Sequence, residues 1–237
     1  MSTPPLAVDA AGLCRRYGRR WALIDVSLQA PPGCVVMVTG RNGSGKSTLL
    51  RVLATAIRPD RGSARVAGFD LKRQTDALRR NVSLLSHHSY HYEALTPLEN
   101  LDVAARFAGL AADREALLAR LATVGLADRA DDPVSTFSAG MRKRLSLART
   151  LLRDSAVVML DEPYGQLDPP GHRLVDRVID SLRGRGATVL VATHLLERGG
   201  ALSDMAVVLE AGRLAWAGPA AELPARSRLD PDGEGAP

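Results

Sequence analysis

Residues 40 to 48 read GRNGSGKST, three glycines followed by a lysine and two hydroxyls. The pattern G-x-x-x-x-G-K-[ST] is suited to capturing a polyphosphate. Gly40, Gly43 and Gly45 let the backbone curl so that successive N–H groups point inward at phosphate oxygens, with Arg41, Asn42, Ser44 and Thr48 completing the loop. Lys46 is long enough to reach the β and γ phosphates, and the Ser47 hydroxyl is a ligand for Mg2+. A glycine-rich turn without a ligand is the plain alternative. It is disfavoured because the motif stands after an apolar run, CVVMVTG, read as a buried strand, and before a segment at 46 to 57 read as a helix. The positive end of that helix faces the same anion.

A second chemical feature is VVMLDE at 157 to 162, an apolar run ending in adjacent carboxylates. Successive strand residues point to opposite sides, so both acids serve one site only if the strand ends between them. Asp161 can then join the magnesium shell, and Glu162 can polarise a water for attack on the γ phosphate as a general base. By itself such a pair is an ordinary solvated strand end; beside a phosphate loop it is a candidate catalytic site. His194 follows another apolar run, ATVLVAT.

The elements that must position these residues are legible from pattern. From Leu6 to about Val38, apolar residues alternate or cluster between the turn signals YGRR and APPG, as in a small antiparallel sheet. Further short strands are expected at 63 to 69 and 82 to 86. Residues 96 to 153 are expected to be helical. Thr96, Pro97 and Glu99 form a capping box, Gly125 ends a second helix and Ser138 caps a third. Strands return at AVVML and ATVLVAT, separated by a helix with Asp168 as cap and Pro169 as first residue, and DMAVVLEAGRLAWAG reads as a hairpin turning at Ala211-Gly212. Alternating strands and helices imply a mainly parallel sheet.

Composition narrows the class. A chain of 237 residues accommodates one α/β domain with a sizeable core, or a domain carrying a smaller lobe, and is cramped for two independent domains. Lys and Arg number 31 against 26 Asp and Glu, and the excess is scattered, as on a solvated surface. With no basic aromatic motif, a nucleic-acid partner is not expected. Cys14 and Cys34 sit singly in apolar stretches and read as buried thiols of a reducing compartment. The longest apolar runs, Val35 to Val38 and Ala156 to Leu160, are far too short to span a bilayer. Residues 223–237, which end SRLDPDGEGAP, read as a disordered tail.

Between the phosphate loop and the carboxylates lies FSAGMRKRLSLARTLL, and after them come GQLD at 165 to 168 and THLLE at 193 to 197. In this order the motifs resemble the ATP-binding subunit of an ABC transporter over residues 6 to 218. The resemblance implies a P-loop NTPase core of ABC ATPase type, α/β, with an antiparallel β subdomain and a helical subdomain at about 96–153, all within a domain spanning 1–222. It further implies ATP and Mg2+ as cofactors and a homodimer in which each phosphate loop faces the partner's signature. Ser138, Ala139, Gly140 and Met141 match that signature, usually written LSGGQ, which contacts the γ phosphate bound to the second subunit. Ala139 replaces a glycine and Met141 a glutamine, so partner contacts to phosphate are expected to be weaker. Asp168 matches the motif joining the subunits, His194 the histidine that hydrogen-bonds the γ phosphate, and Tyr17 the aromatic that stacks on adenine.

The segment LLSHHSYHYEALTPLENL, 84 to 101, lies where this family carries its glutamine loop. Counting back from Leu95 and Thr96 places His88 at the glutamine, which in the family contacts magnesium or the attacking water. Histidine offers one acceptor as the neutral ring and loses it on protonation near neutral pH, so activity is expected to fall in acid and the His88→Gln variant to flatten that limb. A transition-metal site from His87, His88 and His91 is disfavoured. Adjacent histidines on a strand diverge, and no cysteine or carboxylate joins them at ligand spacing. Tyr90 and Tyr92 read as an aromatic surface that meets a partner.

The resemblance therefore implies an ATPase peripheral to the cytoplasmic side of the inner membrane, acting with a separate membrane-spanning permease subunit. Within the family, the histidine-bearing loop, LDEPYGQLDPPG and THLLERG resemble the haem exporter ATP-binding subunit of cytochrome c maturation. An exporter subunit for another cargo, a drug or a lipid, is the second reading. A DNA-repair or chromosome-organising ATPase would insert coiled coil between phosphate loop and signature, where only about ninety residues lie. A translation-linked member would carry two such domains. A binding module without turnover is disfavoured by the joint presence of Lys46, Asp161, Glu162 and His194.

Overall fold

The computed structural model describes residues 5–86 and 90–223. The chain divides into two units, one built from residues up to 84, 155–162 and 179 onward, the other from 85–154 and 163–178.

The first unit is organised by runs of β-branched and other apolar residues too short for helices. Strands β3 (Val35–Thr39), β7 (Val157–Asp161) and β8 (Thr188–Ala192) are buried at every position, as expected of strands covered on both faces. They pair in parallel, β3 with β8 and β8 with β7, and β9 (Met205–Glu210) pairs in parallel with the other edge of β3. The sheet order is β10-β9-β3-β8-β7-β6, where β6 is Val82–Leu85 and β10 is Arg213–Pro219. The hairpin between β9 and β10 turns through Ala211 and Gly212, both with positive φ, where sequence placed it.

Strand Val35–Thr39 thus belongs to the parallel sheet and not to the antiparallel one that was expected to extend to Val38. The antiparallel sheet has the order β2-β1-β4-β5, with β1 Val8–Tyr17, β2 Arg20–Ala30, β4 Arg61–Val66 and β5 Phe69–Asp70. Helix α1 (Lys46–Leu53) packs on β7 and β8. It stops earlier than the expected residue 57 because Thr55 takes a left-handed φ of 59°, and Ala56 and Ile57 both donate back to the Arg51 carbonyl. The short helix α2 (Thr75–Asn81), with Leu78 as its only buried side chain, was not anticipated. Cys14 and Cys34 are free and half-buried, not the fully buried thiols expected from their apolar neighbours. Among the described residues no helix is long and apolar enough to cross a membrane.

The second unit is helical. α3 (Pro97–Phe107) starts from the anticipated capping box: Thr96 Oγ1 accepts from Glu99 N at 3.2 Å and Glu99 Oε2 accepts from Thr96 N at 2.8 Å. α4 (Arg114–Thr123) is capped by Asp113 and ends before Gly125, whose φ is 67°. α5 (Ala139–Thr150) is capped by Ser138, and α3, α4 and α5 pack on one another. α6 (Pro169–Gly184) begins in this unit, with Asp168 Oδ1 accepting from Gly171 N at 2.9 Å. Leu223, which sequence placed at the start of the tail, is buried beside Met37, Ala206 and Val208 in the first unit. The rest of that tail lies outside the described residues.

Candidate functional site

The phosphate loop leaves β3 at Thr39 and needs its glycines for space as well as for backbone conformation. Gly40, Gly43 and Gly45 have φ of 138°, 77° and 110°. A Cβ on Gly40 would stand 2.1 Å from the Leu209 carbonyl oxygen, and one on Gly45 2.5 Å from that of Ala22. Arg41, Asn42 and Gly43 at the loop's crest are exposed, while Ser44 and Lys46 are buried and Thr48 is half-buried. The Ser44 hydroxyl has no hydrogen-bond partner among the described residues. Lys46 Nζ donates to the carbonyls of Gly40 at 2.7 Å and Arg41 at 3.2 Å. Burial pulls its pKa below the usual lysine value, and the nearby charges of Glu162 and Asp161 pull the other way.

Opposite the start of α1, Ser47 Oγ donates to Asp161 Oδ1 at 2.8 Å. Asp161 is the last residue of β7 and is 1% exposed. The difficulty that neighbouring strand residues diverge is resolved by the next residue. Glu162 takes a left-handed φ of 46°, its N–H donates to the Ala192 carbonyl at the end of β8, and its Oε2 meets His194 Nδ1 at 3.0 Å. A non-glycine residue in that region is strained, and such strain concentrates at functional sites. Hydroxyl, carboxylates, ammonium and imidazole thus gather at the carboxyl ends of three adjacent parallel strands, the usual place for a ligand in an open α/β sheet. The paired hydroxyl and carboxylate oxygens are hard donors of the kind Mg2+ takes.

Tyr17 closes β1, with the Arg15 guanidinium 5.0 Å from its ring centroid. The remaining predicted residues lie in the second unit. Ser138 Oγ accepts from Met141 N at 3.2 Å, and Ala139 does not adopt the positive φ for which glycine would be required. Gly140 packs tightly, since a Cβ there would lie 3.1 Å from the Gln166 carbonyl oxygen. Asp168, besides capping α6, lies 3.3 Å from the Arg144 guanidinium. The Gly171 N–H, chiefly, and Arg144 hold its carboxyl below the usual aspartate range. His88 falls outside the described residues.

Sequence reasoning missed two side chains in this unit. His91 Nε2 lies 3.0 Å from the Arg142 carbonyl oxygen and 2.9 Å from the Ser146 hydroxyl, both on α5. Burial, aided by the charges of Arg149 and Arg142, lowers its pKa to about 4. Both contacts engage Nε2, and His87 and His88, the other members of the three-histidine set, lie outside the described residues. Arg144 is one of several basic residues following the signature, and no local pattern marks it, because its partner Asp168 lies 24 positions later.

Fold and site together define a P-loop nucleotide-binding protein. The chain belongs to the ABC transporter family, whose profile matches residues 23–165. It is 40% identical over 226 residues to a daunorubicin resistance ATP-binding protein of Streptomyces coeruleorubidus, covering 94% of this chain and 72% of that one. A daunorubicin/doxorubicin resistance ATP-binding protein of Streptomyces peucetius is 36% identical, with 94% and 68% covered. A Nod factor export ATP-binding protein I of Ralstonia nicotianae is 34% identical over 214 residues, 90% of this chain and 66% of the relative. Among solved structures, an ATP-binding subunit of an ABC transporter is similar with a TM-score of 0.81 at 27% identity, covering 91% and 90% of the two chains. A dimeric ATP-binding cassette bound to ADP and Pi shares the fold with a TM-score of 0.82 at 23% identity, over 90% and 98%.

The protein is the ATP-binding, ATP-hydrolysing subunit of an ABC transporter. The relatives named above are drug-resistance and Nod factor export proteins, so the loop resemblance to a haem exporter is not supported, and an exporter of another cargo is the better-backed reading.

Proposed function

We propose that this subunit powers export of a drug or lipid-like molecule through a separate membrane-spanning permease, as a homodimer peripheral to the cytoplasmic face of the membrane, with no nucleic-acid partner. Support for the cargo class is the 40% identity to a daunorubicin resistance ATP-binding protein along 94% of the chain. ATP would be cradled by residues 40 to 48, with Lys46 drawn from its two carbonyl partners to the β and γ phosphates and Tyr17 against adenine. Ser47 and Asp161 would hold Mg2+, whose chemistry is to neutralise the phosphate charge. Glu162 accepts the proton of the attacking water. A carboxylate only accepts, so His194 Nδ1 carries the proton in their hydrogen bond and orients the base. A hydrogen bond from the other edge of the His194 ring to the γ phosphate would need Nε2 to carry a proton as well.

The partner subunit supplies Ser138, Ala139, Gly140 and Met141 across the sandwich, with Asp168 at the seam, and His88 would take the role of the family's glutamine. The carrying observation is the meeting of Glu162 and His194 at the ends of neighbouring strands. The test is to purify the Glu162→Gln variant with its native membrane, measure ATP-dependent dimerisation and identify the permease that copurifies. Dimerisation with a drug-type permease is expected. A monomer at saturating ATP, or a haem-maturation permease as partner, overturns the reading.

A further inference from the structure

Loop 163–168, which follows Glu162, is fastened to the signature helix by contacts that neither the phosphate chemistry nor helix capping requires. Arg144 stands on α5, and its guanidinium reaches Asp168 Oδ1 at 3.3 Å. Its other terminal nitrogen lies 3.5 Å from the point where a Cβ on Gly125 would stand, just past the end of α4. The side chain is only 24% exposed, against 60% for Asp168. Two glycines admit the loop to this position. Besides the close approach of the Gln166 carbonyl to Gly140, a Cβ on Gly171 would come within 2.9 Å of both Asp168 Oδ1 and Leu167 Cβ. Gln166 itself holds a φ of 66°, a conformation that a loop without close packing would relax. From the other side, Tyr164 is buried and its hydroxyl donates to Asp176 Oδ1 on α6 at 3.0 Å.

With its acid 60% exposed and already capping a helix, this ion pair adds little to stability. What it does is fix geometry. The guanidinium is a rigid planar fork, so its contact sets direction as well as distance. We propose that Arg144 is a positioning residue for ATP hydrolysis: it clamps loop 163–168 to the signature helix, so that the signature turn at Ser138–Met141 and Asp168 are presented to the partner subunit as one surface. This rests on the sandwich dimer proposed above. In that arrangement, signature and Asp168 must engage the partner's nucleotide site together, and a misplacement of about 1 Å can lower a rate by about a hundredfold.

The experiment uses full-length protein and four variants: Arg144→Ala, Arg144→Lys, Asp168→Asn and the double variant Arg144→Ala/Asp168→Asn. Asparagine keeps the capping oxygen while removing the charge. Each is assayed for binding of a fluorescent ATP analogue to the monomer, for ATP-dependent dimerisation in a Glu162→Gln background, and for kcat and KM. For Arg144→Ala the expected result is monomer affinity within about twofold of wild type, dimerisation weakened and kcat lowered by about ten- to a hundredfold, with partial recovery in Arg144→Lys. The double variant should fall short of the product of the two single effects, because both singles break the same contact.

A merely structural role would lower monomer binding and melting temperature together and leave the kcat-against-KM split unmoved. Unchanged dimerisation and kcat in Arg144→Ala, or multiplicative effects in the double variant, overturns the clamp. Should Arg144→Ala not fold, the Arg144→Lys and Asp168→Asn measurements decide by the same criteria. If the Glu162→Gln parent shows no ATP-dependent dimer, the sandwich falls and the clamp with it. A dimer that is indifferent to Arg144 removes the clamp alone.

Discussion

Glu162 Oε2 lies 3.0 Å from His194 Nδ1, and the two side chains come from the ends of adjacent parallel strands. Glu162 is the more sheltered, at 19% exposure against 53% for His194. Replacing Glu162 with Gln keeps shape and hydrogen bonding but removes the proton acceptor. We expect kcat to fall by roughly 10²–10⁴-fold, the usual contribution of a general base, with ATP affinity preserved. His194→Ala should lower kcat less, because the base survives and loses only its orientation. Steady-state ATPase assays beside equilibrium nucleotide binding separate the two effects, and a Glu162→Gln enzyme of near wild-type rate would exclude this carboxylate as the base.

The 2.8 Å contact between Ser47 Oγ and Asp161 Oδ1 joins the first turn of α1 to the last residue of β7. If the pair holds Mg2+, Ser47→Ala should raise the Mg2+ concentration for half-maximal ATPase activity by about tenfold or more, since one of few protein oxygens is lost. Asp161→Asn should do so more strongly, through loss of charge. Titration of activity with Mg2+ at fixed ATP is the measurement, and an unshifted curve for both variants would refute the assignment.

The first two glycines of the phosphate loop should differ sharply on substitution. Gly40 combines a φ of 138° with a Cβ position 2.1 Å from a backbone oxygen that belongs to the sheet. Gly43 has a φ of 77°, and its nearest obstacle is the flexible end of Arg20 at 3.5 Å. Gly43→Ala is expected to cost about 1 kcal/mol and Gly40→Ala several times that, with loss of nucleotide binding. Chemical denaturation of the two variants side by side tests this ordering, and equal costs would contradict it.

Much of this architecture was legible because the signals are local. The apolar runs before Gly40 and before Asp161 are too short for helices and end in residues unlike the run. The Thr96 and Glu99 box and the Ala211-Gly212 turn act over three or four residues. What escaped either leaves no local pattern or depends on contacts distant in sequence. Helix α2 buries one leucine and carries no side-chain cap, so no periodicity marks it. The left-handed turn at Thr55 that ends α1 early is not encoded by a glycine. His91 looked like one of three equivalent histidines; its separate environment is made by α5, some fifty positions later. Arg144 belongs to a stretch of basic residues, and only the return of the chain at Asp168 distinguishes it.

That environment gives His91 a measurable signature. Its ring is held at about 4 by desolvation first and by the positive charges of Arg149 and Arg142 next, while the hydrogen bond to the Arg142 carbonyl acts in the opposite sense. Glu93, the nearest acid recorded against these arginines, is 3.8 Å from Arg142 and well exposed. The unfolded chain protonates His91 near 6.5, whereas the folded protein keeps it neutral down to about 4. Between those values the unfolded state binds more protons, so the stability of the fold decreases as pH falls through this window and the loss is complete below it. Subtracting the melting profile of His91→Gln, which keeps a donor for the Arg142 carbonyl, removes the carboxylate titrations common to both proteins. The difference should favour the wild type near pH 7 and shrink steadily toward pH 4. A difference flat across that range would mean that His91 titrates as it does in the unfolded chain, and that the loop around it is not held against α5.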